Sequence, residues 1–188
     1  MNRTQDTKSG NGLAYGLIAM GVAARLLPHP PNVTPLTALA LFGGTVLSAP
    51  WGIAVPLASV MLSDLVIGLH EVVAFTWGGF AVTGLLGWWI RQRPSGSRIV
   101  IAAGLGATVF FLMTNLGVWL VGDGGMMYPK TLDGLWRCYV AALPFYRNSL
   151  IGDLGYTLGV FGVHAWLTKR RALCLAQRTG NALSRQAH

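Results

Sequence analysis

Six apolar runs, separated by short polar segments, constrain what this chain can fold into more than any other feature. They cover residues 12–27, 34–49, 51–69, 72–91, 99–122 and 148–168. A helix that crosses the hydrocarbon core of a bilayer needs about 20 mostly apolar residues, and the last three runs reach that length. The first two are short and end at Pro28 and Pro50. The pattern predicts an all-α membrane protein in which six transmembrane helices form one bundle.

The composition agrees with a membrane protein rather than a soluble one. Only 11% of the residues are charged and 53% are hydrophobic, whereas a soluble domain has about 25% charged residues. A soluble fold would have too little polar surface to cover a core built from all six runs. Since the length allows one domain, we divide the chain into an N-terminal tail at 1–11, a transmembrane domain at 12–168 and a basic tail at 169–188.

The basic residues predict the orientation of the bundle. With the basic segments inside, the inner side carries ten basic residues and one acidic residue, a net +9, and the outer side four basic and five acidic, a net −1, which together give the formal +8. Cytoplasmic loops are enriched in Lys and Arg, so we expect both termini in the cytoplasm of a bacterial inner membrane. No nucleic-acid partner is expected, because no basic face with stacking aromatics is evident. The inner basic residues are Arg3, Lys8, Arg91, Arg93, Arg98, Lys169, Arg170, Arg171, Arg178 and Arg185.

Two segments allow more than one interpretation. The basic start and first apolar run, with Val22-Ala23-Ala24, resemble a signal peptide and its cleavage site. We expect the run to be retained, because its removal would leave an odd number of spans between two inner termini. Residues 123–147 are too charged to span and are expected to form a long outer loop, in which Leu135 to Phe145 form a short helix. The sixth helix would then begin at Asn148 or Ser149, either of which could cap it.

Most polar and ionisable residues outside the inner tails map to the outer end of the bundle. A charged residue within a membrane costs a few kcal/mol, so Asp64 and Asp153 should face the interior and be paired. We therefore expect an extracytoplasmic ligand pocket roofed by the 123–147 loop. The candidate ligand-binding residues are Arg25, His29, Asn32, Asp64, Asn115, Tyr128, Arg137, Tyr139, Tyr146, Arg147, Asn148 and Asp153.

A structural interpretation stays open for the charged members of this set. Asp64 with Arg25, and Asp153 with Arg147, could be ion pairs that tie helix ends together without any ligand. Both interpretations explain why ionisable residues persist at the membrane boundary, since each gives the charges a partner.

The chain shows no motif of a resident cofactor. Cys138 lies in the predicted outer loop and Cys174 in the inner tail, so the two cannot pair across the bilayer, and zinc-type spacing is absent. The sequence contains no phosphate-binding glycine motif, nucleophile elbow or metalloprotease helix. We expect no cofactor, no ATPase within this chain and no enzymatic activity.

Small residues recur four apart on two helices, Ala19 and Ala23 on the first, Gly155 and Gly159 on the sixth. In lipid, helices associate through close backbone approach at Gly, Ala and Ser. The spacing is compatible with packing inside the bundle and with docking onto a partner membrane protein.

Six short helices, an alanine-rich AxxxA first helix and a capped outer pocket resemble the substrate-binding S-components of energy-coupling-factor (ECF) vitamin transporters. In that group the AxxxA helix meets the transmembrane coupling subunit, so the resemblance makes Ala19 and Ala23 partner-binding residues. Four segments within 12–168 also resemble an uncharacterised bacterial integral membrane family (DUF6580-like) that is related to S-components. They are Arg25…Pro-His-Pro-Pro-Asn32-Val-Thr-Pro35, Leu62-Ser-Asp64, Met127-Tyr-Pro-Lys130-Thr-Leu and Pro144-Phe-Tyr-Arg147-Asn148-Ser-Leu-Ile-Gly-Asp153.

Within that superfamily, the layout is most similar to the small solitary cobalamin transporters, which place a cysteine at the outer pocket as a cobalt ligand. The resemblance would give this metal-binding role to Cys138, which lies in the long loop rather than near the third and fourth helices. The thiolate is the form that binds metal, and we expect Arg137 and Lys130 to lower the pKa of this thiol.

The sequence therefore predicts a protein that binds and translocates a vitamin-like micronutrient, with cobalamin or a related corrinoid as one candidate. Its partners would be the lipid bilayer, this ligand and the coupling subunit and ATPases of an ECF-type module. Two alternatives stay open. A membrane enzyme could use His29, Asp64 and Arg147 on a lipid-linked or periplasmic substrate, and a structural membrane subunit would need no ligand.

Overall fold

A computed structural model describes residues 3–47 and 49–186, and the side chains of residues 11–47 and 50–177. The described part is all-helical, as predicted. The outermost residues of both predicted tails, and the side chains of Arg3, Lys8, Arg178 and Arg185, lie outside the described residues. The six helices are α1 (Arg3–Leu26), α2 (Leu36–Val46), α3 (Ala49–Ile67), α4 (Val73–Gln92), α5 (Gly96–Val121) and α6 (Leu132–Gln186).

The short helix α2 forms the centre of the bundle. All its residues from Leu36 to Gly44 are buried, because it contacts each of the other five helices. A helix that is apolar on every side belongs in such a position. The outer helices contact their neighbours in the order α1, α3, α4, α5 and α6, whereas α1 and α6 do not contact each other within the described residues. The fold is an open ring of five helices around α2.

Three helical segments among the described residues are long and apolar enough to cross a membrane, namely Pro50–Ile67, Val73–Gln92 and Gly96–Val121. The central helix α2 has only 11 residues, or about 16 Å at 1.5 Å per residue. This is about half the hydrocarbon thickness of about 30 Å. Six helices occur in the described part of the chain, as predicted, and three of them contain a segment with the length and apolar composition of a membrane span.

The long outer loop predicted at 123–147 is wrong for most of its length, because α6 begins at Leu132 and continues without interruption to Gln186. Its start is set by Thr131, whose hydroxyl oxygen accepts a hydrogen bond from the Gly134 N–H at 3.1 Å, as helix N-caps do. Pro144 lies inside the helix without ending it. The segment between α5 and α6 is therefore short.

The predicted start of the sixth helix at Asn148 or Ser149 is also wrong, since both residues lie well inside α6. Neither of them caps a helix. The Ser149 hydroxyl donates instead to the Phe145 carbonyl at 3.1 Å. The residues expected to form tails at 3–11 and 169–186 continue α1 and α6 as helix.

Glycines bring α2, α3 and α4 into backbone contact. A Cβ atom on Gly44 would lie 2.6 Å from the Gly84 carbonyl oxygen, and one on Gly87 would lie 2.6 Å from the Leu41 carbonyl oxygen. A Cβ atom on Gly52 would lie 2.8 Å from the Gly44 Cα. No larger residue fits at these crossings. Close approach of this kind is how helices associate where lipid removes the hydrophobic driving force.

Candidate functional site

A buried ion pair lies at the end of α1. Arg25 Nη2 is 2.7 Å from Asp64 Oδ1, and this contact is an ion pair whose N–H is not aligned for a hydrogen bond. Trp77 Nε1 donates a hydrogen bond to Asp64 Oδ2 at 2.8 Å. The Asp64 side chain is fully buried and that of Arg25 is 16% exposed. A buried carboxylate needs such partners, because leaving an ion unpaired away from water costs several kcal/mol. The predicted pairing of Arg25 with Asp64 is confirmed.

One nitrogen of Arg25 has no hydrogen-bond partner in the part of the chain that the structure describes. Its Nη1 atom is buried and makes no hydrogen bond among the described residues, although Arg25 lines a cavity. Buried donors are almost always satisfied, and an exception needs an explanation. An acceptor group of a bound molecule in the cavity would satisfy it.

Three adjoining hollows, which we call the polar cleft, open beside Arg25. The first hollow has a volume of about 130 Å³. Asp153 forms part of its wall, buried to 5% exposure and hydrogen-bonded to the Thr37 side chain. Phe80 and Phe110 supply an aromatic wall, with ring centroids 5.1 Å apart. The first hollow therefore combines a cation, a carboxylate and two aromatic faces. It is lined by Arg25, His29, Asn32, Thr34, Leu36, Thr37, Thr76, Phe80, Phe110, Ser149 and Asp153.

The second and third hollows extend the cleft along α5 and α6, with volumes of about 300 and 390 Å³. Arg25 and Asn32 line both the first and the second hollow, and Asn115 lines both the second and the third. Asn32 has a φ of 59°, in the left-handed region that Asn tolerates better than most residues. The cleft therefore brings together eight sequence-predicted residues: Arg25, His29, Asn32, Asn115, Tyr128, Cys138, Tyr146 and Asp153.

Other predicted site residues lie outside the cleft lining. Asp64 stands behind Arg25 rather than in the wall. Arg137 is exposed and pairs with Asp133 at 2.7 Å one turn away. The Tyr139 hydroxyl donates to the Leu112 carbonyl at 2.9 Å, and its ring packs on Phe111. Asn148 Nδ2 donates to the Pro31 carbonyl at 3.4 Å, so it holds the loop after α1 against α6.

The predicted ion pair between Asp153 and Arg147 is wrong. Arg147 is exposed, and no ion pair involves it in the part of the chain that the structure describes. Because both residues belong to the continuous helix α6, their six-residue separation places them on different faces, whereas neighbours on a helix are three or four apart. Because α6 begins at Leu132, Arg147 is fixed on a helix face away from Asp153, whereas an Arg147 in a loop could have reached it.

Cys138 is buried beside the third hollow, and its thiol donates to the Asn115 carbonyl at 3.4 Å. The residue lies before the predicted span at 148–168. Burial raises the pKa of this thiol, and the nearby charge of Lys130 lowers it by less. The expected net lowering is wrong, because desolvation of the thiolate outweighs the cation. Cys138 therefore faces the cleft mainly as a neutral thiol.

Sequence reasoning missed several residues that build the cleft. Trp77 completes the Asp64 site, Thr37 holds Asp153, and Phe80 and Phe110 form the aromatic wall. One signal was present in the sequence, since Trp77 carries an indole N–H donor and lies on the helix that follows the one carrying Asp64. The others are ordinary helix residues whose role depends on which helices are adjacent.

The small residues predicted to mediate helix contacts are not packed inside the bundle. Ala19 and Ala23 are exposed on α1, and Gly155 and Gly159 are exposed with open space around them. Packing within the bundle is therefore the wrong interpretation for both pairs. The small residue of α1 that does pack is Gly21, where an added Cβ would lie 2.6 Å from Ser59 Oγ.

No group of three or more His, Cys, Asp or Glu side chains that could hold a metal ion occurs among the described residues. Fold and cleft together define a helical protein with three segments long and apolar enough to cross a membrane and a polar cleft beside Arg25. The chain belongs to a family of unknown function, DUF6580, whose model matches residues 5–178. The resemblance to this family is thereby confirmed, whereas nothing in the match links it to ECF S-components. No curated protein and no solved structure matches the chain.

Proposed function

We propose that this protein captures a small vitamin-like micronutrient in the polar cleft and takes part in its uptake. The observation that carries this proposal is that Arg25 lines the cleft while its buried Nη1 has no hydrogen-bond partner among the described residues. The pairing of Arg25 with Asp64 alone leaves this donor unsatisfied, and an unsatisfied buried donor costs about 1–3 kcal/mol. A ligand acceptor removes that cost when it binds.

The cleft chemistry defines the class of ligand. Arg25 would bind an anionic or carbonyl oxygen, and Asp153 would accept from an amino, amide or hydroxyl group. The paired rings of Phe80 and Phe110 would contact a flat apolar ring. Ligand pockets typically combine an apolar or aromatic wall with a few polar groups that set orientation. A small heterocyclic molecule with an acidic group and a hydrogen-bond donor fits this arrangement.

We further propose that all six helices cross or enter the bacterial inner membrane, with both termini in the cytoplasm and the cleft facing outward. The three apolar spans and the split of charge between the two ends support this topology. The central part of α6, at 148–168, would be the sixth span. Because α2 is too short to cross alone, the non-helical residues before it would complete its passage.

Release of the ligand into the cell would need a partner, which we propose to be the coupling subunit and ATPases of an ECF-type module. Exposure of Ala19 and Ala23 on α1 supports a contact of this kind. Small side chains leave a shallow surface on which another helix can approach closely. The surface is available because the bundle itself does not use it.

A corrinoid is the second candidate ligand, and Cys138 is the observation that favours it. Its buried thiol lines the third hollow, where a metal-centred ligand could meet it. The thiol would have to lose its proton on binding, since thiolate is the coordinating form. The enzyme alternative has less support, because its candidate residues do not share one site. His29 lines the cleft, whereas Arg147 is exposed.

The test is to purify the full chain in mild detergent and identify retained small molecules by mass spectrometry and absorbance. Arg25→Gln and Asp153→Asn should lose the molecule that the wild type retains. Arg137→Gln is the matched control, because Arg137 is an exposed cation outside the cleft. Equal retention by all four proteins, or none by folded wild type, would contradict the proposed site.

A further inference from the structure

The gap in the helix ring forms a long apolar groove between α1 and α6, with a volume of about 780 Å³. Its floor is the central helix, through Leu39, Phe42 and Val46. One wall is α1, through Leu13, Leu17 and Met20, which recur three and four apart and so share one face. No described residue of the chain fills the groove, since α1 and α6 do not contact each other there.

The α6 wall changes from apolar to cationic along the helix. Gly159, Val160 and Val163 line the groove first, Leu167 follows, and Arg171 closes it at one end. The Arg171 side chain makes no hydrogen bond, ion pair or ring contact among the described residues, whereas its neighbour Arg170 lies over the Trp166 ring at 4.1 Å. The groove lining is thus mainly apolar, with His164 and Thr168 as further polar members, and the cation at its end has no ion-pair partner among the described residues.

We propose that this groove binds an anionic phospholipid, with an acyl chain along the apolar part and the phosphate at Arg171. Charge complementarity selects this occupant, because an anionic headgroup on an apolar chain matches a cation at the end of a mainly apolar groove. The α6 lining from Gly155 to Arg171 extends about 24 Å. One leaflet of hydrocarbon is about 15 Å thick, so the groove accommodates both a chain and its headgroup.

A second copy of this chain is a poorer occupant. Two copies in one membrane share the same orientation, and a two-fold contact presents the same surface patch on both subunits. Their Arg171 side chains would therefore lie at the same depth and face each other across the interface. Like charges brought together in this way destabilise an interface. Lipid binding requires that the helices lie in a bilayer, but it is independent of any ligand of the polar cleft.

The test uses the full chain, delipidated in detergent and titrated with dioleoyl phosphatidylglycerol or dioleoyl phosphatidylcholine, with bound lipid counted by native mass spectrometry. Wild-type protein should bind the anionic lipid more tightly. Arg171→Gln should weaken anionic binding about fivefold, equivalent to about 1 kcal/mol for one basic residue near a membrane surface. It should weaken phosphatidylcholine binding less, because the choline cation offsets the charge of the phosphate. Arg93→Gln is the control, because Arg93 is an exposed cation at the end of α4, away from the groove.

A second pair of variants tests the apolar part. Gly159 lines the groove with open space around it, so Gly159→Leu should fill the groove and weaken binding of both lipids. Gly162→Leu is the matched control, because Gly162 is equally unencumbered and does not line the groove. Equal binding of the two lipids by wild type, or anionic preference unchanged in Arg171→Gln, would overturn the assignment. So would a wild-type dimer that Gly159→Leu dissociates, since the occupant would then be a second copy.

Discussion

The guanidinium of Arg25 and the carboxylate of Asp64 join the ends of α1 and α3 at 2.7 Å, with the carboxylate fully buried. Trp77 of α4 holds the second carboxylate oxygen, so three helices meet at one charge. Asp64 acts on the cleft through Arg25, which makes it a positioning residue. A variant of Asp64 alone is therefore expected to disturb folding as well as ligand binding.

Asp64→Asn should destabilise the protein by about 3–5 kcal/mol, because it leaves the Arg25 charge buried without its partner. The measurement is the loss of a monodisperse peak on heating in detergent. The double variant Arg25→Met, Asp64→Asn should recover most of that stability, since no charge stays buried and the amide oxygen still accepts from Trp77. It should not recover ligand retention. A double variant that binds like wild type would show that the pair only ties helices together.

Asp153→Asn should weaken ligand retention while changing thermal stability little, because the amide still bonds Thr37 and fits the same volume. Arg147→Gln is the comparison on the same helix. Since Arg147 is exposed and points away from Asp153, its variant should retain ligand like wild type. Loss of ligand in Arg147→Gln with retention in Asp153→Asn would reverse the assignment of the cleft.

The Cys138 thiol should react slowly with N-ethylmaleimide at neutral pH in a Cys174→Ser background. Burial raises its pKa, so the reactive thiolate is scarce until the pH rises above the ordinary thiol range. Lys130 opposes this rise, and Lys130→Gln should therefore slow the reaction further, whereas Lys130→Arg keeps the charge. Reaction rates are followed by mass spectrometry across pH. Faster alkylation in Lys130→Gln would contradict the sign of the Lys130 effect or show that the variant opens the site.

Gly87→Ala should destabilise the bundle by about 1–3 kcal/mol, the usual cost of overpacking. Its Cβ would lie 2.6 Å from the Leu41 carbonyl oxygen, and that backbone belongs to the buried central helix. Gly104→Ala in α5 is the control, because nothing lies within 4 Å of its Cβ position. Thermal stability in detergent distinguishes the two. Equal stability of both variants would mean that α2 and α4 are further apart than described.

Single cysteines should report the proposed topology. In a background without Cys138 and Cys174, an impermeant maleimide should label Met126→Cys in intact cells and spare Ser97→Cys. Both positions are exposed, so accessibility to the reagent depends on the side of the membrane. Ser97→Cys should become labelled after permeabilisation, which shows that it is reactive. Labelling of residue 97 in intact cells would invert the orientation.

The sequence predicted those features that depend on the cost of isolating a charge from water. The partnership of Arg25 with Asp64 followed from that cost, as did the gathering of polar residues at one end. The helical conformation of residues 132–147 was not predicted, because their charged residues and Pro144 are typical of a loop. The Thr131 cap and the packing of α6 on α5 nevertheless make this segment helical. That difference also removed the expected contact between Arg147 and Asp153.

The central position of α2 could not be predicted, because an 11-residue apolar helix has the same composition at the centre or the edge of a bundle. Its neighbours depend on the glycine crossings at Gly44 and Gly87, whose partners are backbone atoms of distant segments. Periodicity within one helix carries no information about such partners. The aromatic wall of the cleft depends on the same arrangement of helices.

The 55 residues of α6 form a rod about 80 Å long, more than twice the hydrocarbon thickness of about 30 Å. The same helix carries Asp153 in the wall of the cleft and, about 27 Å further along, Arg171 at the end of the apolar groove. A stiff element of this length acts as a lever, since a small tilt at one end becomes a large displacement at the other. Part of the cleft wall and the basic helical extension belong to this one helix, so a tilt of α6 would displace both.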